Sequence, residues 1–284
     1  MLDLYDSDEV PGVALVVESA GETYETESDG EGYFRVDAEI DRALPDQTCW
    51  ENAVVRAASA QTEKDSYELL VLAPGNSSRI GVISDIDDTV LETGATSLFS
   101  KGWNGLFMSP EDRVAVPGAP ELYQMLAEEG GTLANPIFYV SSSSWNVYGY
   151  IARFMELKGI PRGPMFLKDF GLGEDQFFSG GHIEHKIEAI NTILSRYPQF
   201  KFLLVGDNGQ KDVETYHRVV QDHGDSVAGV FIRDVGGGCR DSAARHLLQE
   251  IKDKGIEVFC GERMDEAREV ASRIGFGPQD ARKA

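Results

Sequence analysis

Apolar positions follow two different rhythms along this chain. Up to about residue 75 the apolar runs are short and partly alternating: GVALVVES, ETYETES, GYFRVDA, AVVRAAS and SYELLVLA. Alternation at period two marks half-buried strands. Turn chemistry separates the runs, at Pro11-Gly12, Gly21, the DGEG of 29–32 and the PDQ of 45–47. Strands recurring roughly every ten residues predict a small all-β sandwich over 1–75. APGNSS, at 73–78, reads as the linker that ends it.

From residue 79 onward apolar runs alternate with helical stretches. IGVIS is followed by APELYQMLAEEG, IFYVS by WNVYGYIARFMELKG and MFLKD by EHKIEAINTILSRYP. KFLLVGD is followed by DVETYHRVVQDHG, and VAGVFIRDV by AARHLLQEIKDKG. Within the helical stretches apolar residues recur at i, i+3 or i+4, as at Val147, Ile151, Phe154 and Met155. This alternation predicts an α/β domain over 79–284, a Rossmann-like parallel sheet with helices on both faces.

Composition narrows the picture. With 284 residues, 42% of them hydrophobic, the chain can bury a sizeable core. Acidic residues number 48 against 26 basic, a formal net charge of -22. Such a surface repels nucleic acid and anionic membranes, so no nucleic-acid partner is expected. It fits simple solubility or a high-salt cytoplasm. Cys49, Cys239 and Cys260 lie far apart with no CxxC, and nothing pairs them by spacing, so free thiols in a reducing cytoplasm are expected. The acidic start, MLDLYDSDEVPG, shows no signal pattern. No apolar run reaches the roughly 18 residues of a membrane span.

One stretch departs from simple patterning. RIGVISDIDDTVLETG, at 79–94, drives an apolar strand straight into Asp85, Asp87 and Asp88. An uncompensated carboxylate in a buried strand costs several kcal/mol. Ligands of an open parallel sheet bind outside the carboxyl ends of its strands, so Asp85 faces that crevice and Asp87 follows where the chain leaves the sheet. FLLVGDNGQKD places Asp207 at another strand end, with Asp212 in the next turn, and IFYVSSSSW offers Ser141. A helix predicted over 183–196 carries Lys186 in its first turn. Converging acids repel one another unless a hard cation sits among them. Mg²⁺ favours a few carboxylates, a carbonyl, waters and substrate phosphate. One carboxylate can then attack phosphorus and a second can give and take the proton. A hydroxyl and an ammonium can hold the phosphoryl oxygens.

The ordered set of DxDxT from Asp85 to Thr89, strand–Ser, Lys and GDxxxxD resembles the haloacid dehalogenase (HAD) phosphohydrolase superfamily. VISDIDDTVLETG, NPIFYVSSSSWNVY, GPMFLKDFG, HKIEAI, YPQFKFLLVGDNGQKDVETY and VFIRDV resemble, more narrowly, the phosphatidate phosphatases that include the fungal actin-patch enzyme, many bacterial relatives and, as cousins, the lipins. That family often carries an N-terminal β-sandwich, and the SDGEGYF turn resembles those of transthyretin-like and carboxypeptidase-regulatory-like sandwiches. The resemblance implies that Asp85 is the nucleophile and a metal ligand. Asp87 is the general acid/base, its backbone carbonyl reaching the metal, and Asp207 completes the metal site. Asp212 orients a metal-bound water or Lys186, and Ser141 and Lys186 bind the phosphoryl group. Thr89 and Asn208 lie around these groups. Ser144 stands where the family has proline, Asn208 where it has serine, Lys168 where it has arginine and Val213 where it has proline. None of these removes a catalytic group, but all flank the site and bear on substrate preference.

Other residues take plainer readings. Ser143 or Ser144 can cap a helix opening at Trp145. His182 and His185 read as exposed polar residues, and Arg233-Asp234 as a local ion pair. The segment SLFSKGWNGLFM, 97–108, is either a plug packed on the sheet edge or a flap whose Trp103 and Phe107 meet an acyl chain or lipid surface. The expected activity is Mg²⁺-dependent phosphomonoester hydrolysis through an aspartyl-phosphate, with phosphatidate at a membrane surface as substrate and diacylglycerol as product. The expected location is the cytoplasm, free or at the periphery of a membrane. The net charge favours instead a small soluble phosphomonoester, because anionic lipid surfaces attract basic clusters. A non-catalytic binding module built on the sandwich is the third reading, and the complete acid set speaks against it.

Overall fold

The computed structural model describes residues 10–60, 66–76, 78–92, 109–129, 132–168 and 181–277. The chain divides after Asn76 into two compact units.

The first unit is an antiparallel sheet of β1 (Ala14–Ser19), β2 (Glu22–Glu27), β3 (Cys49–Ala57) and β4 (Ser66–Ala73), in the order β2-β1-β3-β4. Ala20 and Gly21 both take positive φ, 55° and 83°, in the two-residue loop between β1 and β2. That backbone matches the twist of a tight hairpin. Val16, Val17, Ala53, Val55 and Leu72 form its buried apolar positions. The GYFRVDA run forms no strand. It is held by Asp29 Oδ1, which accepts from the backbone N–H groups of Glu31 and Tyr33. Tyr33 and Phe34 remain exposed there, so alternation in this run has no buried face behind it.

The second unit begins with β5 (Ile80–Ser84) and α1 (Ala119–Ala127), then a two-residue pair, β6 (Glu128–Glu129) and β7 (Thr132–Leu133). It continues with β8 (Ile137–Ser144), α2 (Tyr148–Lys158), β9 (Met165–Lys168), α3 (Gly181–Arg196), β10 (Lys201–Asp207) and α4 (Asp212–His223). It closes with β11 (Val227–Arg233), α5 (Ser242–Asp253), β12 (Glu257–Gly261) and α6 (Arg268–Arg273). The six-stranded sheet has the order β12-β11-β10-β5-β8-β9, parallel throughout.

Side-chain alternation along each strand explains the two covered faces. Val82, Ile137, Tyr139, Leu203, Val205 and Phe231 pack with α1, α2 and α6 through Leu122, Ile151, Phe154 and Ala271. The alternate residues Ile83, Phe138, Phe202, Leu204, Val230 and Ile232 are buried on the other side, where α3, α4 and α5 pack on the sheet and on one another. The chain runs from β5 outward to β9, then returns to lay β10 on the other side of β5. The order therefore reverses beside β5, and a crevice opens at the carboxyl ends of β8, β5 and β10.

The cysteines depart from expectation. Cys239, in the turn Gly238–Arg240, and Cys260, on β12, form a disulfide with Cα atoms 6.4 Å apart. Spacing hid the pair because β12 lies beside β11 in the sheet, which brings the end of β12 next to the loop leaving β11. Cys49 is free. A crosslink over 21 residues restricts the unfolded chain by about 3 kcal/mol. Cys260→Ser is therefore expected to lower the urea midpoint, and reductant is expected to bring wild type to the same midpoint. A midpoint indifferent to both would show that the bridge does not constrain the fold.

Candidate active site

β5 ends at Ser84, and Asp85 N donates to Val205 O at 2.8 Å, so Asp85 continues the strand pairing into the crevice. The chain then folds back, with Val90 N and Leu91 N both reaching Ile86 O. Asp88 adopts a left-handed φ of 55° in this turn. Its carbonyl accepts from Arg233 Nη1 at 2.7 Å, while Arg233 Nη2 reaches Glu92 at 3.2 Å. The expected Arg233-Asp234 ion pair does not form. Neighbours on a strand point to opposite faces, and Asp234 instead accepts from Asn208 Nδ2 and Cys239 N.

Asp207 closes β10, next to β5. Gly206 before it is required by close approach, since a Cβ there would run into Asp212 and Tyr216. Asp207 Oδ1 accepts from the backbone N–H groups of Gly209 and Gln210, which fixes its orientation. Asp212 opens α4, buried, with Oδ2 accepting from Asp207 N at 3.1 Å. Lys186 comes from α3, which starts at Gly181, so the lysine sits in the second turn rather than the first. Its ammonium donates to Asp212 Oδ1 at 2.5 Å and lies 2.9 Å from Asp85 Oδ1. Thr89 Oγ1 donates to Asp85 Oδ2 at 3.2 Å.

Asp87 is held from β8. Ser141 Oγ and Ser143 Oγ both donate to Asp87 Oδ2, at 3.1 and 2.8 Å. The Asp87 carbonyl accepts from Gln210 Nε2 at 3.1 Å. Asp85, Asp87, Thr89, Ser141, Lys186, Asp207 and Asp212 are thus brought together and buried. Asn208 stands outside this group, tying the Asp207 loop to Asp234 and to Val235 N. Trp103 and Phe107 lie outside the described residues, as does the side chain of His182. His185 is half-buried rather than exposed. Burial holds its pKa down against bonds to the backbone of Ser141 and Phe166.

The electrostatics are those of crowded acids. Burial, then the charge of Asp85, pushes Asp87 up to about 6 against the lowering effect of its two serine donors. Burial, then Asp212 and Asp85, pushes Asp207 up strongly. Burial alone would lower the Lys186 pKa, but Asp212 and Asp85 hold it above the usual lysine range. Among the described residues one ammonium therefore faces several carboxylates. Oxygens of Asp85, Asp207 and Asp212 lie within 4.8 Å of one another. Asp207 Oδ2 and Asp87 Oδ1 are buried with no hydrogen-bond partner among the described residues. An all-oxygen donor set with an orphaned carboxylate oxygen fits a hard divalent cation. Asp207 is the most available donor of the three, because its Oδ2 has no partner among the described residues, whereas both oxygens of Asp212 accept hydrogen bonds and both of Asp85 meet Thr89 or Lys186.

Three contacts of the crevice go beyond what the sequence pattern predicts. The pattern offers Ser143 only as a helix cap, a job that Ser144 does by accepting from Asn146 N. The signal was present, since residues two apart in an extended strand share a side, and β8 extends through Ser144. Gln210 and Arg233 carry no such signal. Each reaches the 85–92 turn from more than 100 residues away.

Comparison with known proteins agrees with this geometry. The family model described as phosphatidate phosphatase APP1, catalytic domain, matches residues 80–234, more than half of the chain. Phosphatidate phosphatase APP1 of Saccharomyces cerevisiae is 31% identical over 179 residues, which cover 61% of this chain and 29% of the yeast protein. An uncharacterized protein of Schizosaccharomyces pombe is 24% identical over 211 residues, 72% of this chain and 33% of that protein. The chain thus spans about a third or less of the curated relatives it matches. The matched segment opens at β5 and closes just past β11, so it contains every acid of the crevice together with Ser141, Ser143 and Lys186. This chain belongs to the family of the phosphatidate phosphatase APP1 catalytic domain.

Proposed function

We propose that the crevice hydrolyses a phosphomonoester through an aspartyl-phosphate, with phosphatidate as substrate and diacylglycerol as product. The observation that carries the reading is the buried set of Asp85, Asp87, Lys186, Asp207 and Asp212 at one topological switch point. The family match supports the substrate. Asp85 attacks phosphorus, a bond forms from its carboxylate oxygen, and the ester P–O bond breaks. Asp87 gives its proton to the departing oxygen, then takes one from the water that hydrolyses the acyl phosphate. Burial raises the Asp87 pKa, which keeps it closer to a proton-carrying state than an exposed aspartate. Lys186 and Ser141 donate to the phosphoryl oxygens, and Asp212 holds Lys186 in place. Asp85, Asp207 and the Asp87 carbonyl would hold Mg²⁺, which would supply charge neutralisation for the phosphoryl group. In this reading the chemistry belongs to residues 79–284. No helix among the described residues is long and apolar enough to cross a membrane. In this reading the enzyme meets phosphatidate from the cytoplasmic face of a membrane.

The net charge of -22 favours a second substrate, a small soluble phosphomonoester. One assay separates the two: phosphate release from phosphatidate in neutral micelles and from a set of soluble phosphomonoesters, with Mg²⁺, with Ca²⁺ and with excess chelator. Release from phosphatidate with Mg²⁺ alone is expected. Ca²⁺ is larger and accepts looser coordination, so it is expected to compete without supporting turnover. Full activity in chelator would end the mechanism, and turnover confined to soluble esters would move the substrate.

A further inference from the structure

Asp87 is gripped in an asymmetric way. Its Oδ2 accepts two hydroxyl hydrogen bonds, from Ser143 at 2.8 Å and from Ser141 at 3.1 Å. Its Oδ1 is buried and accepts none among the described residues. Each hydrogen bond that a carboxylate oxygen accepts makes it a weaker base, so of the two oxygens the bare Oδ1 is the one that takes a proton, even with Ser143 alone on Oδ2. The proton that Asp87 handles therefore belongs on Oδ1.

The two serines are not equivalent. Ser141 Oγ accepts from Ser143 N at 2.9 Å, and this backbone bond holds its oxygen in place while its proton stays free to change partner. A serine hydroxyl has a single proton. If Ser141 gives that proton to a phosphoryl oxygen, it cannot also give it to Asp87. Ser143 makes the shorter of the two bonds. Ser144, on the opposite side of β8, is occupied at the cap of the following 3-10 turn, which leaves Ser143 as the donor that stays.

We propose that Ser143 is a positioning residue that holds the Asp87 carboxyl by Oδ2 throughout the reaction, so that Oδ1 alone carries the proton and the Ser141 hydroxyl is released to the phosphoryl group. The proposal rests on the reading of Asp87 as the general acid. It assigns Ser143 a part in leaving-group departure and none in substrate binding.

The test uses the full chain with Mg²⁺ and a series of soluble phosphomonoesters, from p-nitrophenyl phosphate to a simple alkyl phosphate. A poor leaving group needs the proton and a good one does not. Ser143→Ala is expected to lower kcat on the alkyl ester by about ten- to a hundredfold and on p-nitrophenyl phosphate by less than about threefold, with KM unchanged. Ser143→Cys keeps a weak donor of similar shape and is expected to fall between. It carries the test if the alanine variant does not fold. Ser141→Ala is expected to weaken both substrates alike. In the double variant with Asp87→Asn, Ser143→Ala should add nothing further, because it acts only through that carboxyl. Equal losses on both esters, or additive losses in the double variant, would overturn the role of Ser143. If Asp87→Asn itself shows no dependence on the leaving group, it is the general-acid reading that falls, and the two failures are told apart by that single variant.

Discussion

Asp85→Asn is expected to abolish phosphate release, by at least about a thousandfold, while the protein stays folded and its melting temperature in chelator equals or exceeds that of wild type. The amide is nearly isosteric but has no anionic oxygen with which to attack phosphorus. The stability half of the result follows from the charge count around it. Asp85 is buried, and its charge raises the pKa of Asp87, Asp207 and Asp212 alike. Removing one negative charge from such a group relieves repulsion that a single ammonium does not offset. Differential scanning calorimetry in chelator and a phosphate-release assay with Mg²⁺ read the two halves separately. Turnover within about tenfold of wild type would remove Asp85 as the nucleophile. A large drop in melting temperature would instead make Asp85 a structural partner of Lys186.

How much of this site could be read from the chain depends on how local each signal is. Strand ends are local. The apolar runs before Asp85, Ser141 and Asp207 each stop where the polar residue begins, and the structure puts those three on neighbouring strands. The parallel sheet was legible for the same reason, since each strand and its covering helix announce their own period. The partners of the turn after β5 were not legible. Gln210 reaches the Asp87 carbonyl across 123 residues and Arg233 reaches the Asp88 carbonyl across 145, and no pattern within either segment points to the other. The Cys239–Cys260 pair was hidden in the same way, because it depends on which strands become neighbours. GYFRVDA shows the opposite failure. Its alternation is local and clear, yet Tyr33 and Phe34 both stay exposed and the run forms no strand.

Lys186→Met is expected to separate stability from catalysis in the other direction. The Lys186 side chain is 4% exposed and its ammonium sits between Asp85 Oδ1 and Asp212 Oδ1. Methionine fills much of the same volume but leaves both carboxylates buried without their cation. Breaking a buried pair from one side costs about 3 to 5 kcal/mol, so the denaturant midpoint in chelator should fall clearly. Turnover should fall by about a hundred- to a thousandfold, the usual loss when one fixed donor to a developing charge is removed. Adding Asp212→Asn removes one of the two stranded charges. The double variant is expected to recover a large part of the lost stability and none of the lost activity, since the phosphoryl group still lacks its ammonium. The recovery is a coupling between contacting residues and should appear as strong non-additivity in a double-mutant cycle. If the two substitutions destabilise additively, the ion pair is not what holds α3 to α4 at this point. If the double variant regains activity along with stability, Lys186 serves to neutralise Asp212 and does not touch the substrate.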